Sequence, residues 1–403
     1  MASNKTKKAV NLSASVYTDK DGKHCAKVEF CTYHESDVII MKKEIEGFTS
    51  DIDSAEFFDG LIPTEEDVIF DGSLERINSY ISYYDYDVEL GKIYVYFVKT
   101  HLRPDCYTGP AAVKIKDPYI YWSFDKINKE IESLKNFENV KTALVGETVN
   151  HRMLSAVYTG NPDNFIALIG AVHPGEAGAE LCLSVFRNIL ENNAEVLKKT
   201  GLVVLPSVNA DIRENVAKGT PWYLRKNVNG VDLNRNFDSL WEEVAYGYGY
   251  ASDDIRCPTY RGLYPNSEPE TKAVINLLET FQPKVVLSYH ALASVTADSM
   301  YVAKASENDE NYMQKAYKAA TLYKEGFRNQ LGIPLNRILY HACTQGSLPS
   351  YAYDKNIIGF DVEIHDSGIE QFYDCLSDNT TREMLADCIS YHTSAVLNLM
   401  KNM

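Results

Sequence analysis

The chain has 403 residues, 45% apolar and 24% charged, with 22 Gly and 14 Pro, which excludes a disordered, collagenous or low-complexity polymer. Its 40 basic against 56 acidic residues leave a net charge of −16. That charge repels phosphate backbones and anionic lipid, so neither nucleic acid nor a membrane surface is expected as a partner.

At about 150 residues per domain, the length predicts two or three domains. The lysines near the start are followed by no apolar stretch, so no secretory leader is expected. The apolar run 165–172 falls far short of the roughly twenty residues of a membrane-spanning helix. Eight cysteines lie scattered without a Cys-x-x-Cys pair, as free thiols of a reducing compartment do, and a cytoplasmic location is expected.

Up to residue 115 the apolar pattern has period two. Ala26, Val28 and Phe30 alternate with Lys27 and Glu29, and Ile93, Val95 and Phe97 alternate with Tyr94 and Tyr96. Asp-Gly pairs at 21–22, 59–60 and 71–72 read as turns between short antiparallel strands, and residues 1–115 are expected to form a small all-β domain, a β-sandwich. Residues 74–83 also admit a helical reading.

From residue 118 to 403 strand and helix signals alternate. Ser123 caps a helix carrying Ile127, Ile131 and Leu134 at helical spacing. Apolar runs at 165–172, 202–205, 284–289 and 357–362 are separated by helices expected over 178–199, 267–281, 308–330 and 380–401. Ser267 and Glu270 have the spacing of a capping box. This order predicts a mostly parallel α/β sheet covered on both faces, with its site beyond the carboxyl ends of the strands.

Reactive residues fall at those ends. His173-Pro174-Gly175-Glu176 follows the run 165–172. A histidine and a carboxylate three apart in such a loop can face one ion, and their atoms suit zinc at about 2.0–2.2 Å. Read alone, the pair is equally a loop histidine beside a glutamate favoured by a helix dipole. His290 ends Val-Val-Leu-Ser-Tyr-His, where a rim histidine is also common. Asp361, Glu363 and His365 alternate along a strand end and point one way, a cluster costly to bury without a use, although a hydrated strand end is the alternative. Between them the chain turns at Asn229-Gly230. Arg225, Asn234 and Arg235 flank that turn with donors suited to a carboxylate or a developing oxyanion, although charges around a turn are usually solvated.

Taken in order, His-x-x-Glu, Arg, Asn-Arg, His, Tyr and Glu resemble the zinc carboxypeptidases of the M14 family over residues 118 to 400. The phrases TYRGLYPNSEPETK (259–272) and LYHACTQGSLPSYAYDKNIIGFDVE (339–363) are similar to stretches that family carries outside its catalytic positions. The resemblance implies a carboxypeptidase-like mixed, mostly parallel sheet with helices on both faces. It implies one zinc ion per chain, held by His173, Glu176 and His290 with one position left open, and Asp232 orienting the first histidine. Glu363 becomes the general base, which later returns its proton to the leaving amine, and Arg225 the partner of the oxyanion. Asn234 and Arg235 would hold the substrate's terminal carboxylate and Tyr340 would close over it. The implied activity is hydrolysis of the C-terminal bond of a peptide with a free carboxylate. A bacterial peptidase cutting a γ-D-glutamyl–diamino-acid bond of the cell wall with the same zinc, and a silent peptide-binding scaffold, are the alternatives.

The sequence departs from the family in places. Asn209-Ala210-Asp211-Ile212 stands where the family writes Asn-Pro-Asp-Gly, and Ala291-Leu292-Ala293 follows His290 in place of Ser-Tyr. Cys257 lacks the counterpart it has in pancreatic relatives. Leu348, at the position that forms the base of their specificity pocket, argues against Lys or Arg as the residue released. A β-sandwich ahead of the catalytic domain, like the spelling His-Pro-Gly-Glu, is similar to the cytosolic branch, whereas Ser-Tyr-His at 288–290 is similar to bacterial relatives that trim cell-wall peptides.

Overall fold

The computed structural model describes residues 8–33, 35–45, 60–176, 178–220, 224–243, 250–290, 299–331, 340–343, 345–363 and 381–403. The chain divides into two compact units, Met1–Pro118 with Asn215–Tyr223, and Tyr119–Glu214 with Leu224–Met403.

The described strands of the first unit are β1 (Val10–Thr18), β2 (His24–Cys31), β3 (Asp37–Ile45), β4 (Val68–Ser73), β5 (Arg76–Ile77), β6 (Tyr80–Asp85), β7 (Ile93–Thr100) and β8 (Arg103–Lys114). They pair as two antiparallel sheets, β1-β2-β6-β5 and β4-β3-β7-β8. Ala26, Val28 and Phe30 of one sheet share a core with Val38, Ile40, Tyr96 and Val98 of the other, so the period-two pattern folds as a sandwich. β7 is covered on both faces. Val95 and Phe97 pack with Met41 on the opposite side, and Tyr96 donates its hydroxyl to Asp85 at 2.8 Å.

Two local expectations change here. Residues 74–83 form no helix but contribute β5 and β6, because alternate residues face the shared core. Asp71-Gly72 lies inside β4, paired with Ile39 and Val38, and makes no turn. Asp21-Gly22 does turn: Gly22 takes a φ of +81° and its N–H donates to the Asp19 carbonyl at 3.0 Å. Asp59 lies outside the described residues.

In the second unit the described helices are α1 (Phe124–Leu134), α2 (Gly178–Asn192), α3 (Ala210–Ala217, of which the residues up to Glu214 belong to this unit), α4 (Pro269–Phe281), α5 (Glu310–Leu331), α6 (Leu348–Asp354) and α7 (Arg382–Asn402). The strands are β9 (Lys141–Glu147), β10 (Met153–Thr159), β11 (Phe165–Ile169), β12 (Gly201–Leu205), β13 (Val285–His290), β14 (Ser299–Ala303), β15 (Tyr340–Cys343) and β16 (Ile358–Glu363). They form one mixed sheet in the order β15-β14-β16-β13-β11-β12-β10-β9. Its centre, β16-β13-β11-β12, is parallel; on one side β14 runs against β16 and parallel to β15, and on the other β10 runs against both β12 and β9.

Alternate strand residues enter two cores. Ile166, Leu168, Val285 and Leu287 pack with Leu181 and Val185 of α2, Ala316 of α5 and Val396 of α7. Ala167, Ile169 and Val286 pack with Val274 and Leu277 of α4 and Ala352 of α6. Burial on both faces explains why these strands read as continuous apolar runs.

Ser123 caps α1 as expected, accepting from the Lys126 N–H. The helix expected over 178–199 is broken, because Asn193 leaves helical geometry and a 3-10 turn, Ala194–Lys198, follows. The capping box at Ser267 and Glu270 does not form. Pro269, whose ring presets the first helical position, makes Glu268 the cap residue, and the Glu270 carboxylate accepts from the Val149 N–H instead. Among the described residues no helix is long and apolar enough to cross a membrane.

At the end of β11 the chain passes very close to its neighbours. A Cβ on Gly170 would sit 2.5 Å from the Pro206 carbonyl oxygen and 2.8 Å from that of Gly178. Both contacts are backbone and neither can swing away. Gly170→Ala is therefore expected to lower the unfolding free energy by about 1–3 kcal/mol or more, read by denaturant titration. Unchanged stability would mean that the backbones have slack to separate.

Candidate active site

His173 lies in the loop after β11, His290 is the last residue of β13, and Glu176 lies between His173 and α2. All three are buried, and one ligand atom from each lies within 4.8 Å of the others. The Nδ1 atoms of the two histidines are 3.1 Å apart, His173 Nδ1 is 3.2 Å from Glu176 Oε1, and His290 Nδ1 is 3.2 Å from Glu176 Oε2. Glu176 Oε2 is buried without an aligned hydrogen bond. These separations suit a cation, since tetrahedral zinc with bonds of about 2.0–2.1 Å spaces its ligands by roughly 3.4 Å. Burial works against the charge on Glu176, but the adjoining histidines outweigh it and hold the carboxyl down at about 2.

The far side of each ring meets a carboxylate. His173 Nε2 is 2.9 Å from Asp232 Oδ1, and Asp232 Oδ2 accepts from Arg225 Nε at 2.8 Å. Arg225 and His173 overcome the burial of Asp232 and keep it well below the ordinary range. His290 Nε2 is 2.9 Å from Ser288 Oγ and 3.4 Å from Asp361 Oδ1. Burial opposes charge on His290, yet Asp361 and Glu176 raise its pKa well above the usual value. A fully buried arginine is bonded to the backbone of the loop that carries His173 and Glu176. Arg213 Nη1 donates to the carbonyls of Pro174 and Glu176, each at 2.9 Å, while its Nη2 is bonded to the buried Glu180 of α2.

Glu363 ends β16 directly opposite His290 of β13. Burial, reinforced by Glu176 and Asp361 and partly offset by His290, pushes its carboxyl up to about 8. Asn234 is committed internally: its Nδ2 donates to Asp361 Oδ2 at 2.9 Å and its Oδ1 accepts from the Leu348 N–H at 2.9 Å. Arg235 donates from Nη1 to the Asn234 carbonyl at 2.7 Å, and its charge acts on Asp232. The Leu348 side chain is fully buried in the core with Leu233 and Phe237. What it offers this network is its N–H. Tyr340 opens β15 opposite Tyr301, and its side chain, like residues 291–293 and His365, lies outside the described residues.

Sequence reasoning passed over Ser288, although it sits two residues before His290 on the same face of one strand. It also passed over Arg213 and Glu180, whose meeting is tertiary and leaves no local signal.

The loop carrying Arg225, Asp232, Asn234 and Arg235 is anchored by buried acids. Asn227 Nδ2 donates to Glu268 Oε2 at 2.7 Å and to Glu270 Oε2 at 3.2 Å, Asn229 Nδ2 donates to Glu268 Oε2 at 2.9 Å, and Asn227 Oδ1 accepts from the Val231 N–H at 3.1 Å. Burial pushes the Glu270 carboxyl up to about 7 against these donors, with Glu268 adding to the rise.

His173, Glu176 and His290, with Glu363 in register opposite His290, make a candidate metal site at the central strands of a mostly parallel sheet, the kind of site carried on the carboxypeptidase fold. Over residues 127–379, more than half its length, the chain matches the zinc carboxypeptidase family, peptidase M14, and it belongs to that family. It is 34% identical over 143 residues to the human carboxypeptidase N catalytic chain, covering 32% of this chain and 31% of that protein. To bovine carboxypeptidase O it is 28% identical over 241 residues, covering 53% and 60%. To murein peptide amidase A of Escherichia coli K12 it is 43% identical over 70 residues, covering 17% and 29%. The chain thus spans about a third to three-fifths of the length of the two carboxypeptidases. Bovine thrombin-activatable fibrinolysis inhibitor, solved in complex with tick carboxypeptidase inhibitor, shares the fold with a TM-score of 0.59 at 22% identity, over 71% of this chain and 98% of that one. A proposed carboxypeptidase of Burkholderia mallei ATCC 23344 gives a TM-score of 0.52 at 14% identity, over 97% and 95%.

The buried acid under the loop has a consequence for stability. Glu270 keeps its proton in the folded chain up to about pH 7 but releases it near 4.5 when exposed by unfolding. The folded state therefore binds more protons between those values, and its stability falls as the pH rises through that window. Glu270→Gln carries no charge to bury and is expected to flatten the fall. Melting temperature followed across that pH range reads it; an unchanged slope would assign the proton to another group.

Proposed function

We propose that residues 118–403 form a zinc-dependent exopeptidase that hydrolyses the C-terminal bond of peptides carrying a free carboxylate. The observation that carries this reading is the meeting of His173, Glu176 and His290 at adjacent strand ends, with Glu363 in register opposite His290. One zinc ion per chain, held by those three residues, would supply Lewis acidity toward the scissile carbonyl and lower the pKa of water.

The remaining work belongs to the chain's own side chains. Glu363, with its carboxyl raised to about 8, is suited to take a proton from the attacking water and return it to the leaving amine. Arg225 is placed by its bond to Asp232 and supplies positive charge to the developing oxyanion, while Asp232 orients His173. Arg235, with the second N–H of the Asn234 amide, takes the substrate's terminal carboxylate. By its resemblance to the family, Tyr340 would cover the bound end. A second reading, cleavage of bacterial cell-wall peptides by the same site, is favoured by the 43% identity over 70 residues to murein peptide amidase A.

His173→Ala and His290→Ala are each expected to strip the metal, measured by elemental analysis of purified protein. Stoichiometric zinc in either variant would sink this ligand set. Glu363→Gln should keep zinc and lose most turnover on a peptide substrate, and a near-normal kcat would move the base elsewhere.

The carboxylate clamp separates exopeptidase from endopeptidase. Breaking a buried, hydrogen-bonded charge pair typically costs roughly 2–5 kcal/mol, so amidating the peptide's C-terminus should lower kcat/KM by orders of magnitude. Arg235→Ala should lose comparably on the free acid and little more on the amide. Equal cleavage of acid and amide by the unmodified enzyme would overturn the exopeptidase reading. Cleavage of cell-wall fragments in preference to free peptides would favour the second reading.

A further inference from the structure

The zinc reading accounts for Asp232 behind His173 but leaves Asp361 without a role. Asp361 lies on β16 two residues before Glu363, and pairs in register with Ser288 of β13. Both therefore sit on the face that carries His290 and Glu363. Asp361 is buried, with Oδ1 3.4 Å from His290 Nε2 and Oδ2 accepting from Asn234 Nδ2 at 2.9 Å. The backbone N–H of the same Asn234 donates to Asp232 Oδ1 at 3.0 Å. One asparagine thus joins the two carboxylates that stand behind the two histidines, and the Leu348 N–H holds its Oδ1 in turn.

Ser288 Oγ is nearer to His290 Nε2, at 2.9 Å, but a hydroxyl both donates and accepts and so permits either ring tautomer. An ionised carboxylate only accepts. Its presence selects the ring with hydrogen on Nε2, which leaves the Nδ1 lone pair turned toward His173 Nδ1 and Glu176, where a cation would sit.

We propose that Asp361 is a positioning residue for His290: it fixes the ring's tautomer and orientation and, through Asn234, couples that ring to the Asp232–His173 pair. This rests on the reading of His173, Glu176 and His290 as the metal ligands. Asp361 touches no reacting atom in this scheme; it acts through His290.

The test measures zinc affinity by competition with a chromophoric chelator in the full chain, for wild type, Asp361→Asn, Asp361→Ala and Ser288→Ala. Removing a group that orients a ligand typically weakens metal binding roughly 10- to 100-fold, and that loss is expected for both Asp361 variants. Ser288→Ala is expected to cost less than either. A second readout separates orientation from general loosening. With histidine labelled by nitrogen-15, the zinc-loaded wild type should show a slowly exchanging ring N–H signal from each of the two carboxylate-backed histidines, each assigned by its loss in His173→Ala or His290→Ala and so separated from that of the buried His392. Asp361→Asn, isosteric and the less disruptive change, should shift or lose one signal and keep the other.

Wild-type protein that binds no stoichiometric zinc would overturn the ligand reading itself. Wild type that binds zinc while Asp361→Asn binds equally well, with both ring signals in place, would overturn the role given to Asp361. So would a larger loss from Ser288→Ala than from the Asp361 variants.

Discussion

The site depends on the register of parallel strands. Ile166 of β11 lies level with Val285 of β13, which lies level with Ile358 of β16, and the ladder continues until His290 stands opposite Glu363. β11 and β13 send alternate side chains into two different cores, and β16 sends Ile358, Phe360 and Val362 into the first of them. A slip of one residue would drive His290 among the leucines of α2 and bring Tyr289 to the site. The apolar cores therefore hold the histidine and the glutamate opposite each other, and no contact between those two residues has to do so.

Electrostatics sets the second condition. Glu176, Asp232 and Asp361 place three buried carboxylates around two histidines, at a desolvation cost that only close partners offset. Arg225 answers Asp232 from outside, and the histidines answer the others. At Glu363 burial, with the like charge of Glu176 and Asp361, outweighs the pull of His290 and Arg225, which is why its proton is held more tightly than on an ordinary glutamate. Two carboxyls of one site are thus driven apart, Glu176 held down at about 2 beside the histidines and Glu363 pushed up to about 8.

Much of this was legible in the sequence because strands buried on both faces announce themselves as apolar runs, and His173, His290 and Glu363 fall where such runs stop. The alternation of Asp361 with Glu363 was visible for the same reason, and Ser288 before His290 obeys the same rule unnoticed. Other features were hidden by physics that local pattern does not carry. Ser267 has the spacing of a cap, but the proline two residues on decides where α4 begins. Asp71-Gly72 has the composition of a turn, but its neighbours pair through β4 on both sides of it. Nothing near Arg213 or Glu180 marks them as partners. Only packing makes an arginine with no exposed surface intelligible, because it joins a helix to the loop that carries His173 and Glu176.

That arginine bears on how the site would meet an ion. With the carbonyls of Pro174 and Glu176 both tied to one planar guanidinium, the loop's backbone is shaped by protein contacts. A chelating side chain on such a backbone has little freedom left to surrender, so the ordering entropy that a slack loop would lose on closing around a cation has already been met during folding. The free energy of chelation can then appear as affinity instead of being consumed in arranging the ligands. A buried residue with no part in the chemistry would set how tightly the metal is kept.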